Sequence, residues 1–243
     1  GFYLSTRATE QEIYEEVVAM TQGKRVDVVI LLYSKIDDII LDYLLANGVP
    51  FSVVGRPYTR PDAISYVDND NVAIAKEVVD HLISLGHRDI SFVGGASDFI
   101  VSSDRLCGYR QALAEAEIPF TPEYVVTQEA MEGQEQQAIC KLMKQKKPPT
   151  AIVTHDDLVA YEVISYLEDL NIAVPADVSI VGFNNHTLSS HLKPPLSTVD
   201  ISIFDLGLEA ANLVLEKIND GNAAPRNIVV PATLIERASC QSL

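Results

Sequence analysis

No run of about 18 apolar residues occurs in this chain, so nothing in it reads as a membrane-spanning helix. Residues 1–7, Gly-Phe-Tyr-Leu-Ser-Thr-Arg, lack the layout of a signal peptide. Cysteine is scarce. Cys107, Cys140 and Cys240 are odd in number and far apart, which speaks for a reduced cytosolic protein with small buried thiols rather than a disulfide frame or metal clip. Basic charge is short as well, with 18 Lys and Arg against 34 Asp and Glu and a net charge of -16. A chain this acidic repels a phosphate backbone and is not expected to bind DNA unaided. The one basic cluster, Lys141 to Lys147, stands at a helix end before Pro148-Pro149, where it suits the helix dipole.

Catalytic signatures are missing too. There is no P-loop, no Gly-x-Ser-x-Gly elbow, no His-Glu-x-x-His and no Gly-x-Gly-x-x-Gly. His155-Asp156-Asp157 could be imagined as a general base with partners or as metal ligands, and Ser190-x-x-Lys193 falls in a loop. Neither amounts to an enzyme signature, so we expect no enzyme, no catalytic residues, no metal and no cofactor.

What is present is a core. Hydrophobic residues make up 47% and charged residues 21%, enough for one large or two smaller domains. The organising stretch is residues 175–199. Val178 to Gly182 reads as a strand buried on both faces. Phe183-Asn184-Asn185 then lie just past its carboxyl end, where open α/β sheets bind ligands. Pro194-Pro195 closes the loop, ahead of a crossing of the chain.

The same alternation runs along the whole chain. Thr9 and Glu12 form a capping box for a helix to about Gln22, with Ile13, Val17 and Met20 as its apolar stripe. Strands are expected at 26–32, 51–54 and 64–67, with a helix from about Asp37 to the Asn47-Gly48 stop. A second series has helices at 72–85, 104–117, 133–146, 155–171 and 203–219, and strands at 90–93, 124–127, 151–154 and 228–231. Strands alternating with helices over short joins predict parallel sheets with right-handed crossovers. Two such series meet near residue 70 without a low-complexity linker, so two α/β lobes with a ligand cleft are expected. Leu206-Gly207 with Ala210 and Leu213 reads as helix packing, and the small residues are candidates for a tight interface.

Six stretches in order resemble the effector-binding core of LacI/GalR-family bacterial transcription regulators. They are 25–31 (Arg-Val-Asp-Val-Val-Ile-Leu), 81–90 (His-Leu-Ile-Ser-Leu-Gly-His-Arg-Asp-Ile), 104–109 (Asp-Arg-Leu-Cys-Gly-Tyr), 174–183 (Val-Pro-Ala-Asp-Val-Ser-Ile-Val-Gly-Phe), 194–199 (Pro-Pro-Leu-Ser-Thr-Val) and 234–239 (Leu-Ile-Glu-Arg-Ala-Ser). Tyr33-Ser34-Lys35, Gly55-Arg56-Pro57-Tyr58, Tyr66 to Asn71 and Phe183-Asn184-Asn185 look most like maltose-operon regulators. The resemblance implies a two-lobed, periplasmic-binding-protein-like (type I) α/β fold with three interlobe crossings, near 69–71, 198–200 and 221–227. The lobes would be 1–70 plus 199–226, and 71–198 plus 227–243. The family core begins with a strand and helix ahead of anything matching Gly1, and its helix-turn-helix domain lies further upstream. The sequence is therefore expected to be a fragment, and lack of that strand would leave a core face unpaired.

Site residues follow from the same resemblance. Arg105, three residues before Gly108, matches the arginine that grips the effector, and its planar fork suits two hydroxyls or a carboxylate. It reads otherwise as a surface arginine capping a loop. His155 and Asp156 stand where the family commonly has Asn-Asp, though helix capping alone would explain Asp156. Asn184 stands where the family often has Asp. An amide both donates and accepts, which suits a neutral polyol, while turn formation is the plain alternative. Phe183 is a sugar-stacking platform or core packing. Tyr33, Ser34 and Arg56 follow strands of the other lobe, and Phe99 lies in the loop before Arg105. The function implied is a sugar-sensing domain of a cytoplasmic repressor, responding to maltose or a maltodextrin. It would act as a homodimer on operator DNA through a separate upstream domain. A periplasmic sugar-binding protein of a transport system is the alternative.

Overall fold

The structure, a computed structural model, describes every residue except Phe2, Glu132 and Asn222. In chain order its elements are α1 (Glu10–Gln22), β1 (Val29–Leu31), α2 (Ile39–Ala46), β2 (Phe51–Val54), β3 (Tyr66–Asp68), α3 (Asn71–Ser84), β4 (Ile90–Val93) and α4 (Ile100–Glu115). There follow β5 (Val125–Val126), α5 (Gln128–Met131), α6 (Glu135–Met143), β6 (Ala151–Thr154), α7 (Asp157–Asp169), β7 (Ser179–Phe183) and β8 (Ser197–Asp200). Last come α8 (Ile203–Asn219), β9 (Asn227–Val229) and β10 (Thr233–Ile235). The chain forms two compact units, Gly1–Asp68 with Phe204–Val229, and Asn69–Ile203 with Val230–Leu243. The boundary expected at 199 would have cut β8. Leu234 and Thr233 pair with Val199 and Asp200, so that strand stays whole in the second unit. The crossing expected at 221–227 includes Asn222, which lies outside the described residues, and the units divide after Val229.

The first unit holds a parallel four-stranded sheet in the order β1-β2-β3-β9. Leu31, Ile40, Leu44, Phe51, Val53 and Ile64 form its core. The capping box of α1 forms as the sequence predicts, Thr9 and Glu12 each bonding the other's backbone N–H. β1 is shorter than expected and lies at the sheet edge, and Tyr3, Leu4 and Leu32 are exposed. Ser52 of β2 donates through Oγ to the Ala210 carbonyl at 2.8 Å, which fastens α8 to the sheet. Leu206, Ala210 and Leu213 are buried as expected, but Gly207 faces open space. Phe204, Leu208, Leu215 and Ile218 stay exposed on the same helix.

The second unit holds a six-stranded sheet in the order β10-β8-β7-β6-β4-β5. It is parallel except for β10, which runs antiparallel to β8. The expectation of a wholly parallel sheet is corrected at this edge, where one reversed strand is common on an otherwise parallel sheet. β4, β6 and β7 are buried along their whole length, since helices cover both faces. One core joins α3 and α4 to the sheet, and another joins α6 and α7 to it. Each fully buried Leu, Ile or Phe in them contributes about 1.5–3 kcal/mol over an exposed one. The buried-thiol expectation fails at Cys107, which is exposed on α4, while Cys140 and Cys240 are half-buried and all three are free.

The helices α3 and α4 meet at Gly108. A Cβ there would lie 2.2 Å from the Val72 carbonyl oxygen and 2.9 Å from the Lys76 amide nitrogen. Both neighbours are backbone and cannot swing aside. Gly108→Ala is expected to destabilise the second unit by about 1–3 kcal/mol. Urea unfolding checks this, and an unchanged midpoint would contradict the contact.

Candidate functional site

The carboxyl ends of β4, β6 and β7 lie side by side in the second unit. α4 begins at Ile100, four residues ahead of the start expected at Asp104, because burial of Ile100 outweighs the capping preference of Asp104. Arg105 therefore sits in the second turn rather than at the helix start, and it is buried, which excludes the surface-cap reading. Its Nε donates to Asn71 Oδ1 at 3.2 Å and its Nη1 to the His155 carbonyl. Its guanidinium carbon lies 4.0 Å from the Phe183 ring centroid. Phe183 is the last residue of β7 and fully buried, so it is core packing and cationic platform together.

His155 directly follows β6 and bonds the Val93 carbonyl through its backbone N–H at 2.7 Å. Its ring lies flat on Gly95, where a Cβ would come within 2.8 Å of three ring atoms. Its Nδ1 is buried with no hydrogen-bond partner among the described residues, and the same holds for Ser102 Oγ on α4. A buried polar atom left unpaired costs about 1–3 kcal/mol, so a ligand or water belongs at such a place. Burial, and then the neighbouring Arg105 charge, push the His155 imidazole down to about 4.

Asp156 caps α7 by accepting the Val159 N–H at 2.9 Å, so the plain reading of this residue holds at one oxygen. Asp157, weighed from the sequence only as part of the imagined base-and-partners arrangement, turns out to be an anchor. Fully buried, it accepts from Thr198 Oγ1 at 2.5 Å, Ser189 Oγ at 2.5 Å and the His186 N–H at 2.7 Å. These bonds fasten the loop after β7, and Gly182 leaves room for them, since a Cβ there would lie 2.2 Å from Asp157 Oδ1. With Asp156 capping and Asp157 tied in this way, the imagined base-and-partners arrangement does not form. No metal-holding cluster occurs among the described residues.

Asn184 has φ 91°, a left-handed conformation that Asn tolerates better than most residues, and its N–H donates to the Val199 carbonyl at 2.8 Å. It makes the turn and leaves its amide side chain without a hydrogen bond among the described residues. Asn185 beside it bonds Asp200 through Nδ2 at 3.2 Å and Arg237 through Oδ1 at 2.7 Å. The hydrogen-bonding roles of Asn71, Asp157, Asn185 and Arg237 were not read from the sequence. Asn71 and Asp157 each open a helix, α3 and α7, so their polarity looked like ordinary helix-start chemistry.

In the first unit, Tyr33 and Ser34 follow β1, and Arg56 follows β2. Ser34 is buried against Gly55, and the Arg56 N–H donates to Asp68 Oδ2 at 2.8 Å. Burial, with the nearby Asp38 charge, pushes the Tyr33 hydroxyl up to about 12, so it stays protonated at neutral pH. Phe99 is the half-buried residue that precedes α4.

The lowered His155 value has a measurable consequence. An unfolded chain protonates this histidine near 6.5, whereas the folded chain holds out to about 4. Its contribution to stability is complete above 6.5 and falls as pH drops towards 4. At pH 5 the loss is about 2 kcal/mol. Burial lowers His87 as well, in the same direction. Urea unfolding at pH 7 and pH 5 should show wild type losing about 2 kcal/mol more than His155→Gln. Equal losses would place the imidazole in water.

Comparison with known proteins agrees with this architecture. The family described as periplasmic binding protein-like domain matches residues 79–240. The transcriptional regulator MalR of Staphylococcus xylosus is 30% identical over 98% of this chain and 70% of its own length. A solved transcriptional regulator LacI from Bacillus cereus subsp. cytotoxis is 45% identical, with a TM-score of 0.94 over 99% of this chain and 86% of that one. The regulator CelR, solved as a cellobiose complex, is 29% identical, with a TM-score of 0.86 over 93% of this chain and 69% of that one. These relatives are regulators and not enzymes. The chain belongs to the LacI/GalR family of transcriptional regulators and is an effector-binding domain of that family, built on the periplasmic-binding-protein-like fold.

Proposed function

We propose that this domain binds a small neutral sugar at the carboxyl ends of β4, β6 and β7, and that the sugar alters DNA binding by a helix-turn-helix domain. The observation that carries the reading is the Arg105–Phe183–His155 cluster. A guanidinium lies over an aromatic ring beside a buried imidazole nitrogen that no described residue satisfies. Asp156 with its second oxygen and Asn184 with its amide supply acceptors and donors for hydroxyls. Tyr33, Ser34 and Arg56 stand after β1 and β2 in the first unit.

The cellobiose complex of the relative CelR supports a disaccharide. The motifs that look like maltose-operon regulators make maltose or a short maltodextrin our first candidate. A chain of net charge -16 repels a phosphate backbone, so operator contact falls to another domain; the family likeness adds a cytoplasmic homodimer to this reading. The sugar works by its differential affinity for two states of the protein, and a coupling of about 1–3 kcal/mol changes operator affinity several-fold or more.

Thermal unfolding should separate the candidates. Maltose, maltotriose, cellobiose, glucose, ribose and purines would each be added to the chain. A ligand at about 100 times its Kd adds roughly 2.7 kcal/mol of stability. A shift with maltose and maltotriose is expected, and a shift with a purine alone would overturn the sugar reading.

Two variants test the contacts by calorimetry. Arg105→Lys keeps the charge but loses the planar fork, and should weaken sugar binding by about 1–3 kcal/mol. Asn184→Gly removes the amide while suiting the left-handed backbone, and should weaken binding similarly with the melting temperature nearly kept. Unchanged affinity in either would remove that residue from the site.

A further inference from the structure

The chain passes between its two units three times, after Asp68, after Ile203 and after Val229. We propose that Asn69 is a positioning residue that ties these three passages together and joins them to the effector site. For its function the proposal rests on the sugar-binding reading of Arg105; its geometry stands without that reading.

Asn69 is the first residue of the second unit and is buried. Its side-chain Nδ2 donates to the Ile201 carbonyl at 3.1 Å and to the Val230 carbonyl at 2.9 Å. Ile201 lies two residues before the second passage, and Val230 is the first residue after the third. One amide nitrogen thus bonds both other passages, 132 and 161 residues away along the chain. Few side chains of this size could do so. Aspartate would bring acceptors against two acceptors, and alanine would leave both carbonyls unpaired.

The other end of the connection is Arg105. Asn71 donates to the Asn69 carbonyl through its backbone N–H at 2.9 Å and through Nδ2 at 3.4 Å. The same Asn71 accepts Arg105 Nε at 3.2 Å. The loop after β7 reaches the second passage separately. Asn185 donates to Asp200 Oδ2, and Asp200 Oδ1 accepts the Ser202 N–H at 2.8 Å. Both arms of the effector site therefore end on the passages. A shift of Arg105 on sugar contact acts on all three at once.

Hydrogen exchange on the 243-residue chain tests this. In Asn69→Ser, one donor for two carbonyls should raise exchange about tenfold in the segments around 69–71, 200–203 and 230–232 together. It should also rise in the Arg105 turn of α4, with β4 and β6 unchanged. Val163→Ala, a core change in α7, is the control for plain destabilisation and should raise exchange evenly over the second unit. A rise confined to 69–71, or the even pattern of Val163→Ala, would overturn the proposal. In wild type, exchange at low urea needs no variant and should give one shared opening for the three segments; separate openings would overturn it equally. Maltose and cellobiose form the effector arm. Either sugar should protect α4 and all three passages in wild type, but α4 alone in Asn69→Ser. Silence with both sugars would tell against the effector reading alone and leave the exchange result standing.

Discussion

A guanidinium held out of water is the constraint around which the second unit's site is arranged. Removing such a charge from solvent is costly unless its donors find acceptors and its faces find polarisable partners. Arg105 meets both demands with groups that have other duties. The His155 carbonyl belongs to the end of a buried strand, Asn71 starts a helix, and Phe183 closes the next strand. Fixing the arginine therefore fixes the ends of two neighbouring strands and one helix. The histidine is kept neutral by the same burial and by the same charge. Its fit depends on Gly95, because any side chain there would displace the ring.

A second buried group does for the loop after β7 what Arg105 does for the strand ends. Burial raises the Asp157 carboxyl above its usual range, and three hydrogen bonds from Ser189, Thr198 and His186 lessen that rise without cancelling it. Hydrogen bonds to a carboxylate are about twice as strong as neutral ones, and they hold the loop with its short 3-10 turn, Thr187–Ser190, against α7. Arg237 then reaches in from the last segment to bond the Leu196 carbonyl at 2.7 Å and Asn185. The Asn184 turn is rigid because it is surrounded by these bonds, and a rigid turn can present an amide at low entropic cost.

Regular elements were legible where one local rule dominated. The strands 51–54, 90–93 and 151–154 and the helix 203–219 have the expected bounds, because short apolar runs with clear breaks leave little choice. The capping box of α1 was equally plain. Local rules misled where tertiary burial competed, as at the start of α4. β8 was not marked as a strand, since Ser197-Thr198-Val199-Asp200 follows two prolines and shows no pattern until Leu234 pairs with it. At the site, Arg105 and Phe183 were visible through their motifs, but that the two residues touch was not. Asp157 looked like one more acidic residue at a helix start. Its role depends on Ser189 and Thr198, which are distant in sequence and say nothing about each other until the chain folds.

The reversed edge strand bears on the order in which this protein can be made. β10 covers β8 and is contributed by residues near the end of the chain. Close by, Ser239 Oγ accepts the Ser197 N–H at 2.8 Å and donates to the Ile180 carbonyl at 2.6 Å. The first unit likewise waits for β9 to complete its sheet. Neither unit is a continuous stretch, so during synthesis the first stays unfinished until β9 has left the ribosome and the second until β10 has. Contacts of such long range slow folding and leave strand edges open meanwhile. From the emergence of β8 to that of β10, the nascent chain carries an uncovered sheet edge.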